Sequence, residues 1–398
     1  MFASLKVKEY RLYWTGMFVS FIGTWIQITA MSWLIYGLTH STFLLGLVGF
    51  LGSIPIFLFS FFAGAIADRA NKRNIILATQ IVFMLLALFL ATMTQMKLIN
   101  RWHVMVIAVL NGIVMAFDAP ARQAMVVELV GRKNLMNAIA LNSAAFSASR
   151  MIGPALAGIF ISIIGMSGCF YINAVSFLAV IPALLLIKVK RAYQIEQNNS
   201  LLQDFKDVIL FVKKDQFISA ILCITAFLSL FGISYAILMP VFADHILNVG
   251  VKGLGVLMSS SGMGALIAAL NLARLGDYNH KGKLLVHSAM VFSISLIFFA
   301  LSRHYLFSII IMVLVGYSSV NIFSLANTLL QSKVSDGMRG KIMSLFMLTF
   351  AGFMPFGSLL AGGLAAKLGA SLSVLIGGGV CLVTFLIINF TYPGLRRS

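Results

Sequence analysis

The sequence predicts an all-α integral membrane protein of twelve transmembrane helices, arranged as two pseudo-symmetric six-helix lobes. Three observations predict it. Of the 398 residues, 60% are hydrophobic and 10% charged, and the mean hydropathy is +1.00. No soluble core can cover that much apolar surface. The apolar residues also come in runs of about 20, enough for a helix to cross the ~30 Å hydrocarbon layer, rather than in the ~10-residue alternating segments of a membrane barrel. Finally, the chain repeats itself. At an offset of 204 residues Gly112 falls on Gly316, Gln123 on Asn327, Val130 on Val334, Leu141 on Leu345, Gly153 on Gly357, Ala157 on Ala361 and Gly158 on Gly362. Repeated halves made of apolar segments are how transporters enclose a site near the midplane.

A basic lead, residues 1–11, carries Lys6, Lys8 and Arg11. Helices are expected over 12–38, 43–67, 74–95, 102–128, 135–164 and 168–188, which form the first lobe, 1–187. In the second of these, Gly46, Gly49, Gly52 and Pro55 permit close helix contact. A polar elbow, Gly131 to Asn134, is expected to separate helices 4 and 5. Residues 188–216 are the one long polar connection. Ser200 and Gln203 make a capping box there, and Leu201, Leu202, Phe205, Val208, Ile209 and Val212 recur at helical spacing between charges. That pattern reads as an amphipathic helix lying on the inner membrane face; a flexible linker is the alternative. Helices over 217–243, 253–274, 284–302, 305–333, 340–366 and 371–391 form the second lobe, 217–398.

The net charge of +18 is explained by position. About 23 of the 29 Lys and Arg fall beyond one end of the apolar runs and about 5 beyond the other, the positive-inside bias that puts both termini in the cytoplasm. The basic side can meet anionic lipid headgroups; a nucleic-acid partner is not expected. Cys169, Cys223 and Cys381 are isolated within apolar segments and read as small buried hydrophobes. The N-terminal apolar run is too long for a cleavable signal. With no phosphate-binding glycine loop, His/Cys cluster or hydrolytic constellation in view, neither a metal, a cofactor nor an enzymatic reaction is expected.

Four features carry chemistry. The loop after helix 2 runs Gly64-Ala-Ile-Ala-Asp68-Arg69-Ala-Asn-Lys72-Arg73, with a degenerate echo 209 residues on, where Gly46 matches Gly255, Asp68 matches Asp277 and Lys72 matches Lys281. A carboxylate at a helix end beside several cations can bind the positive N-terminus of a neighbouring helix in one conformation only; a solvated inner loop is the plainer reading. Helix 5 carries Gly153-Pro154-Ala-Leu-Ala157-Gly158, small residues for close approach and a proline bend. Four residues earlier than Pro154 stands Arg150, about 24 Å along the helix from Asn134 and so near the bilayer centre. An arginine there needs a partner or a watery cavity. It reads as a counter-charge for an anionic substrate or a proton-coupled group, or else as a structural partner of Asp118 reached by snorkelling. Polar residues able to line a central cavity are Thr24, Gln27, Asn111, Asn142, Ser143, Tyr235, Ser261, Asn321, Asn327 and Gln331, each also a candidate for plain interhelical bonding. Asp244 beside His245 is a possible titrating pair at the outer end of helix 7.

The loop sequence resembles the G-x-x-x-D-R-x-x-[KR]-[KR] signature of the major facilitator superfamily, with Asn71 where that family has glycine. Gly153, Pro154 and Gly158 look like its antiporter motif, with Ser149 and Arg150 where the motif has an earlier glycine; a packing interface is the alternative. The run NLMNAIALN, with DAPARQA before it and GPALAG after it, is similar to the branch that contains the enterobactin exporter and related efflux proteins. The resemblance implies a latch of Gly64, Asp68, Arg69, Lys72 and Arg73, with Asp118 pairing with Lys72 or Arg73 to hold the outward-facing state. It also implies a cavity lined by helices 1, 4, 7 and 10, which favours Gln27, Asn111, Tyr235 and Asn327 beside Asn142 and Arg150. The implied function is proton-coupled export of a siderophore-like or other anionic or amphipathic small molecule by a monomer in the bacterial inner membrane. Asp118, Glu128 and Asp244 are the proton-coupling candidates. Multidrug efflux of lipophilic cations, uptake through the same fold, and a lipid flippase or sensor remain open.

Overall fold

The computed structural model describes residues 3–187, 211–212, 215–275, 280–392 and 394–397, with side chains left aside at a few positions, among them Asp68, Arg69 and Arg132. The expected amphipathic helix of the connection therefore lies almost wholly outside the described residues.

The described chain is helical nearly throughout, and eleven of its helices are long and apolar enough to cross a membrane. In order they are α1 (Lys8–Thr39), α2 (Thr42–Arg69) and α3 (Lys72–Gln95), then Arg101–Gly131 as α4. A 54-residue stretch, Lys133–Leu186, follows and is broken at Gly165. We label its pieces α5 (133–164) and α6 (166–186). Then come α7 (Gln216–Ile246), α8 (Gly250–Leu275), α9 (Lys281–Leu301), α10 (Tyr305–Lys333), α11 (Asp336–Leu368) and α12 (Ala370–Thr391).

Local chemistry sets the boundaries. Asn100 caps α4, its Oδ1 accepting from the amides of Trp102 and His103 while His103 Nδ1 accepts from the Asn100 amide. Asp215 accepts from the amides of Phe217 and Ile218 at the start of α7. The four-residue elbow expected between helices 4 and 5 shrinks to one residue. Gly131, at φ 66 and ψ 173, turns the chain in a region that a side chain would forbid, and Gly165 does the same at φ 74 and ψ 177. Helix α7 is less regular than its hydropathy suggests. It passes through π turns at Leu228–Gly232 and Phe242–Ile246 and a 3₁₀ stretch at Ile233–Leu238, just ahead of Pro240, which has no amide hydrogen to donate.

The helices alternate in direction, so the bundle has two ends. End A holds the starts of α1, α3 and α5; end B holds the starts of α2, α4 and α8. The two sequence halves meet at end B. There a single apolar core runs from Leu34, Ile35, Leu45, Val104 and Phe170 into Leu238, Phe242, Leu254 and Phe299. At end A the first half keeps a core of its own, Tyr10, Tyr13, Met17, Ile76, Met125, Val130 and Leu184. Glycines make the end-B contacts possible. A Cβ on Gly46 of α2 would lie 2.6 Å from the Ser358 carbonyl oxygen of α11, and one on Gly362 would lie 2.7 Å from the Gly46 Cα. Between α5 and α8, a Cβ on Gly255 would lie 2.5 Å from the Pro154 carbonyl oxygen, and one on Gly262 would lie 2.6 Å from that of Arg150. Backbones this close need glycine on at least one side.

Candidate functional site

Arg150 sits at the middle of α5, about 26 Å from its start. Its backbone presses on Gly262, and its side chain reaches across the junction of the two halves. Nη2 donates to Ser261 Oγ of α8 at 3.4 Å, and Ser261 Oγ in turn lies 3.2 Å from the Tyr235 hydroxyl of α7. The guanidinium also stands 5.9 Å over the Trp25 ring of α1, within the range of a cation–π contact. The three ion pairs among the described residues are Lys72–Glu128, Arg122–Asp118 and His245–Asp244, so no carboxylate there neutralises Arg150. Four helices thus converge on one uncompensated positive charge. Such a charge in a low-dielectric setting favours an anion.

Rings continue from that point towards end A. Phe146, one turn before Arg150, makes edge contacts with Trp25 and with Phe21, each at 5.8 Å between centroids, and Arg122 of α4 stands 5.3 Å over the Phe21 ring. The order is Arg150, Trp25, Phe146, Phe21, Arg122, a column of three rings between two arginines. Gly153 makes room for it, because a Cβ there would strike the Trp25 Cβ. The glycine of the Gly-Pro motif therefore serves α1 on one side while Gly158 serves α8 on the other, where a Cβ would meet the Val251 carbonyl oxygen at 3.1 Å.

The acids lie elsewhere. Asp118 is completely buried; it accepts from Thr79 Oγ1 at 2.6 Å and Gln80 Nε2 at 3.0 Å, and pairs with Arg122 one turn along its own helix. The expected pairing of Asp118 with Lys72 or Arg73 is not present in this conformation. Lys72 reaches Glu128 at 3.2 Å, and Arg73 donates to the carbonyls of Leu184 and Leu185, covering the end of α6. An i,i+4 ion pair with Arg122 and two neutral donors from α3 engage Asp118 locally. The structural partnership of Arg150 with Asp118 is absent for the same reason. Asp68 and Arg69 close α2, their side chains outside the description, and a Cβ on Gly64 would meet nothing within 4 Å. Asp244 lies 3.7 Å from His245 at end B, where the His245 and Tyr36 rings stand 5.8 Å apart.

Of the six residues expected to bind substrate, Arg150 and Tyr235 come together, joined by Ser261. The others have different partners. Gln27 Oε1 accepts from Asn173 Nδ2 of α6 at 2.8 Å; Asn111 donates to the Ile107 carbonyl of its own helix; Asn142 accepts from the Tyr10 hydroxyl; Asn327 accepts from Gln331 within α10. Trp25, Phe21 and Phe146 were not foreseen. The available signal was the spacing of Trp14, Phe18, Phe21 and Trp25, which marks one face of α1, and a phenylalanine four residues before the lone arginine.

Comparison with known proteins agrees with this architecture. The family model described as transmembrane secretion effector (MFS_3) matches residues 1–396. The staphyloferrin A transporter of Staphylococcus aureus is 26% identical over 356 residues, 88% of each chain. The enterobactin exporter EntS of Shigella boydii is 24% identical, covering 98% of this chain and 92% of its own. Macrolide efflux protein A of Streptococcus pyogenes is 21% identical over 96% and 95%. Among solved structures, a bacterial homolog of the human lysosomal transporter Spinster, in an inward-facing and unoccupied conformation, gives a TM-score of 0.75 at 13% identity over 98% of both chains. With an all-helical multi-pass bundle and a family match over nearly its whole length, the chain belongs to the transmembrane secretion effector family of major facilitator superfamily transporters.

Proposed function

We propose that the protein exports a small anionic or amphipathic compound, siderophore-like in its chemistry, by alternating access of two six-helix lobes. The proposal counts twelve crossings, because ~81 Å of helix between Lys133 and Leu186 exceeds any bilayer and Gly165 divides it. Lys6, Lys8, Arg11, Lys72, Arg73 and Lys133 gather at end A, which supports both termini in the cytoplasm of a bacterial cell. End B then faces outward, and the conformation described is the inward-open one.

Arg150 carries the substrate class. It is a cation at mid-depth, at the seam, with hydroxyl and ring contacts and no carboxylate partner among the described residues. Two relatives are named for staphyloferrin A and enterobactin, which supports an anionic chelator as cargo. Protons are the coupling ion of the proposal, and a single chain surrounded by lipid is its working unit. Asp118 and Glu128 already face an arginine and a lysine. Asp244 faces His245 at end B. A second reading, efflux of a bulky lipophilic drug, is favoured by the full-length likeness to macrolide efflux protein A.

A thermal-shift screen separates the two. Carboxylate and catecholate chelators, ferric and iron-free, are compared with tetraphenylphosphonium on purified wild type and Arg150→Ala. A ligand at a hundredfold excess over its Kd adds about 2.7 kcal/mol of stability. Stabilisation by chelators that disappears in Arg150→Ala is the expected result. Stabilisation by the cation alone overturns the anionic reading.

A further inference from the structure

We propose that the column formed by Phe146, Trp25 and Phe21 is a stacking wall of the ligand site, selecting anions whose acidic group is carried on a flat conjugated ring. The inference rests on the reading of Arg150 as the ligand's counter-charge.

Phe146 is placed to do more than pack. Its ring is bracketed by Trp25 and Phe21, yet the residue remains 45% exposed. It lies one helical turn from Arg150 on the end-A side, where the first half of the chain keeps its own core apart from the second half. Its neighbours come from α1, and the column ends on Arg122 of α4. The exposed part of the ring therefore belongs to the same wall that presents the guanidinium. The two arginines bounding that wall differ in charge state. Arg122 is paired with Asp118, whereas Arg150 has no carboxylate partner among the described residues. A ligand lying along the column would set its anionic end at Arg150 and its body against the Phe146 ring.

A flat π-system gains more there than a saturated body of equal size. Aromatic pairs in offset or edge geometry exceed their area burial by an amount that corresponds to a two- to tenfold change in affinity. An aliphatic body gains only the area term. The wall thus acts on the ligand's skeleton, and the arginine acts on its charge.

The matched probes are 2-naphthoate and decahydro-2-naphthoate, equal in charge and similar in size. Their affinities are measured by thermal-shift titration on the full-length purified protein. Wild type is expected to prefer naphthoate by about two- to tenfold. Phe146→Leu should bring the ratio close to one, and Phe146→Tyr should restore the preference. Arg150→Gln should weaken both probes about equally. Equal affinities in wild type, or a preference that survives Phe146→Leu, overturns the stacking wall while leaving the arginine reading intact. Failure of both probes to bind wild type overturns the wall and the anionic reading together. Monodisperse elution of the Phe146 variants guards against misfolding, and Phe146→Met, which also removes the ring, replaces the leucine variant if that one fails the check.

Discussion

Asp118→Asn is expected to lower stability by about 3 kcal/mol or more. The carboxylate is completely buried and pairs with Arg122, which is only 15% exposed. Removing one partner of a buried pair leaves the other charge uncompensated, at a typical cost of about 3–5 kcal/mol. Asparagine keeps an oxygen for Thr79 and Gln80, so the loss is assigned to charge. Replacing both partners, as Asp118→Asn with Arg122→Gln, should recover most of it, and the cycle of single and double variants measures the coupling. Denaturant unfolding in detergent is the readout. A single variant as stable as wild type refutes the pairing. Proton-driven transport retained by the double variant would remove Asp118 from the proton path and leave Glu128 and Asp244 as the carboxylates to test.

Gly362→Leu is expected to cut transport by about ten- to a hundredfold without unfolding the protein. The new side chain has no room, with the Gly46 Cα and the Thr42 carbonyl oxygen each 2.7 Å from its Cβ. Overpacking of this kind costs about 1–3 kcal/mol where nothing can move. Here α2 and α11 can part at end B, so the strain is relieved by shifting population away from the conformation closed there. A cysteine placed at Thr42 should then react faster with a membrane-impermeant maleimide. The neighbouring Gly363→Leu is the control, because nothing lies within 4 Å of a Cβ at that position. Equal effects from the two variants would mean that close contact at end B has no bearing on the cycle.

What could be read in the sequence follows the range of the interaction involved. Arg150 was visible because one charge in a long apolar run is a local anomaly. The glycines of α2 and α5 were visible as small-residue clusters, although their partners on α11 and α8 lie roughly 300 and 100 residues away. Partners of long polar side chains were not legible. Asp118 and Glu128 stand nearly three turns apart on α4, and geometry rather than pattern pairs Lys72 with Glu128. Gln27 has the composition of a cavity residue, yet Asn173 of α6 holds it. The irregular turns of α7 around Tyr235 left no mark beyond Pro240, since π and 3₁₀ turns share the apolar pattern of an ordinary helix.

The glycine contacts between the two halves, from end B to the level of Arg150, bear on how fast the halves can separate. Where side chains interlock, parting two helices requires each knob to leave its hole and find a new rotamer, so the barrier grows with every residue engaged. At Gly46, Gly255, Gly262 and Gly362 one helix offers no side chain, and backbone lies directly against backbone. Such surfaces slide or lift away with no torsion to cross. The seam can therefore be tight at rest and still quick to release, with little friction between helices to slow its parting.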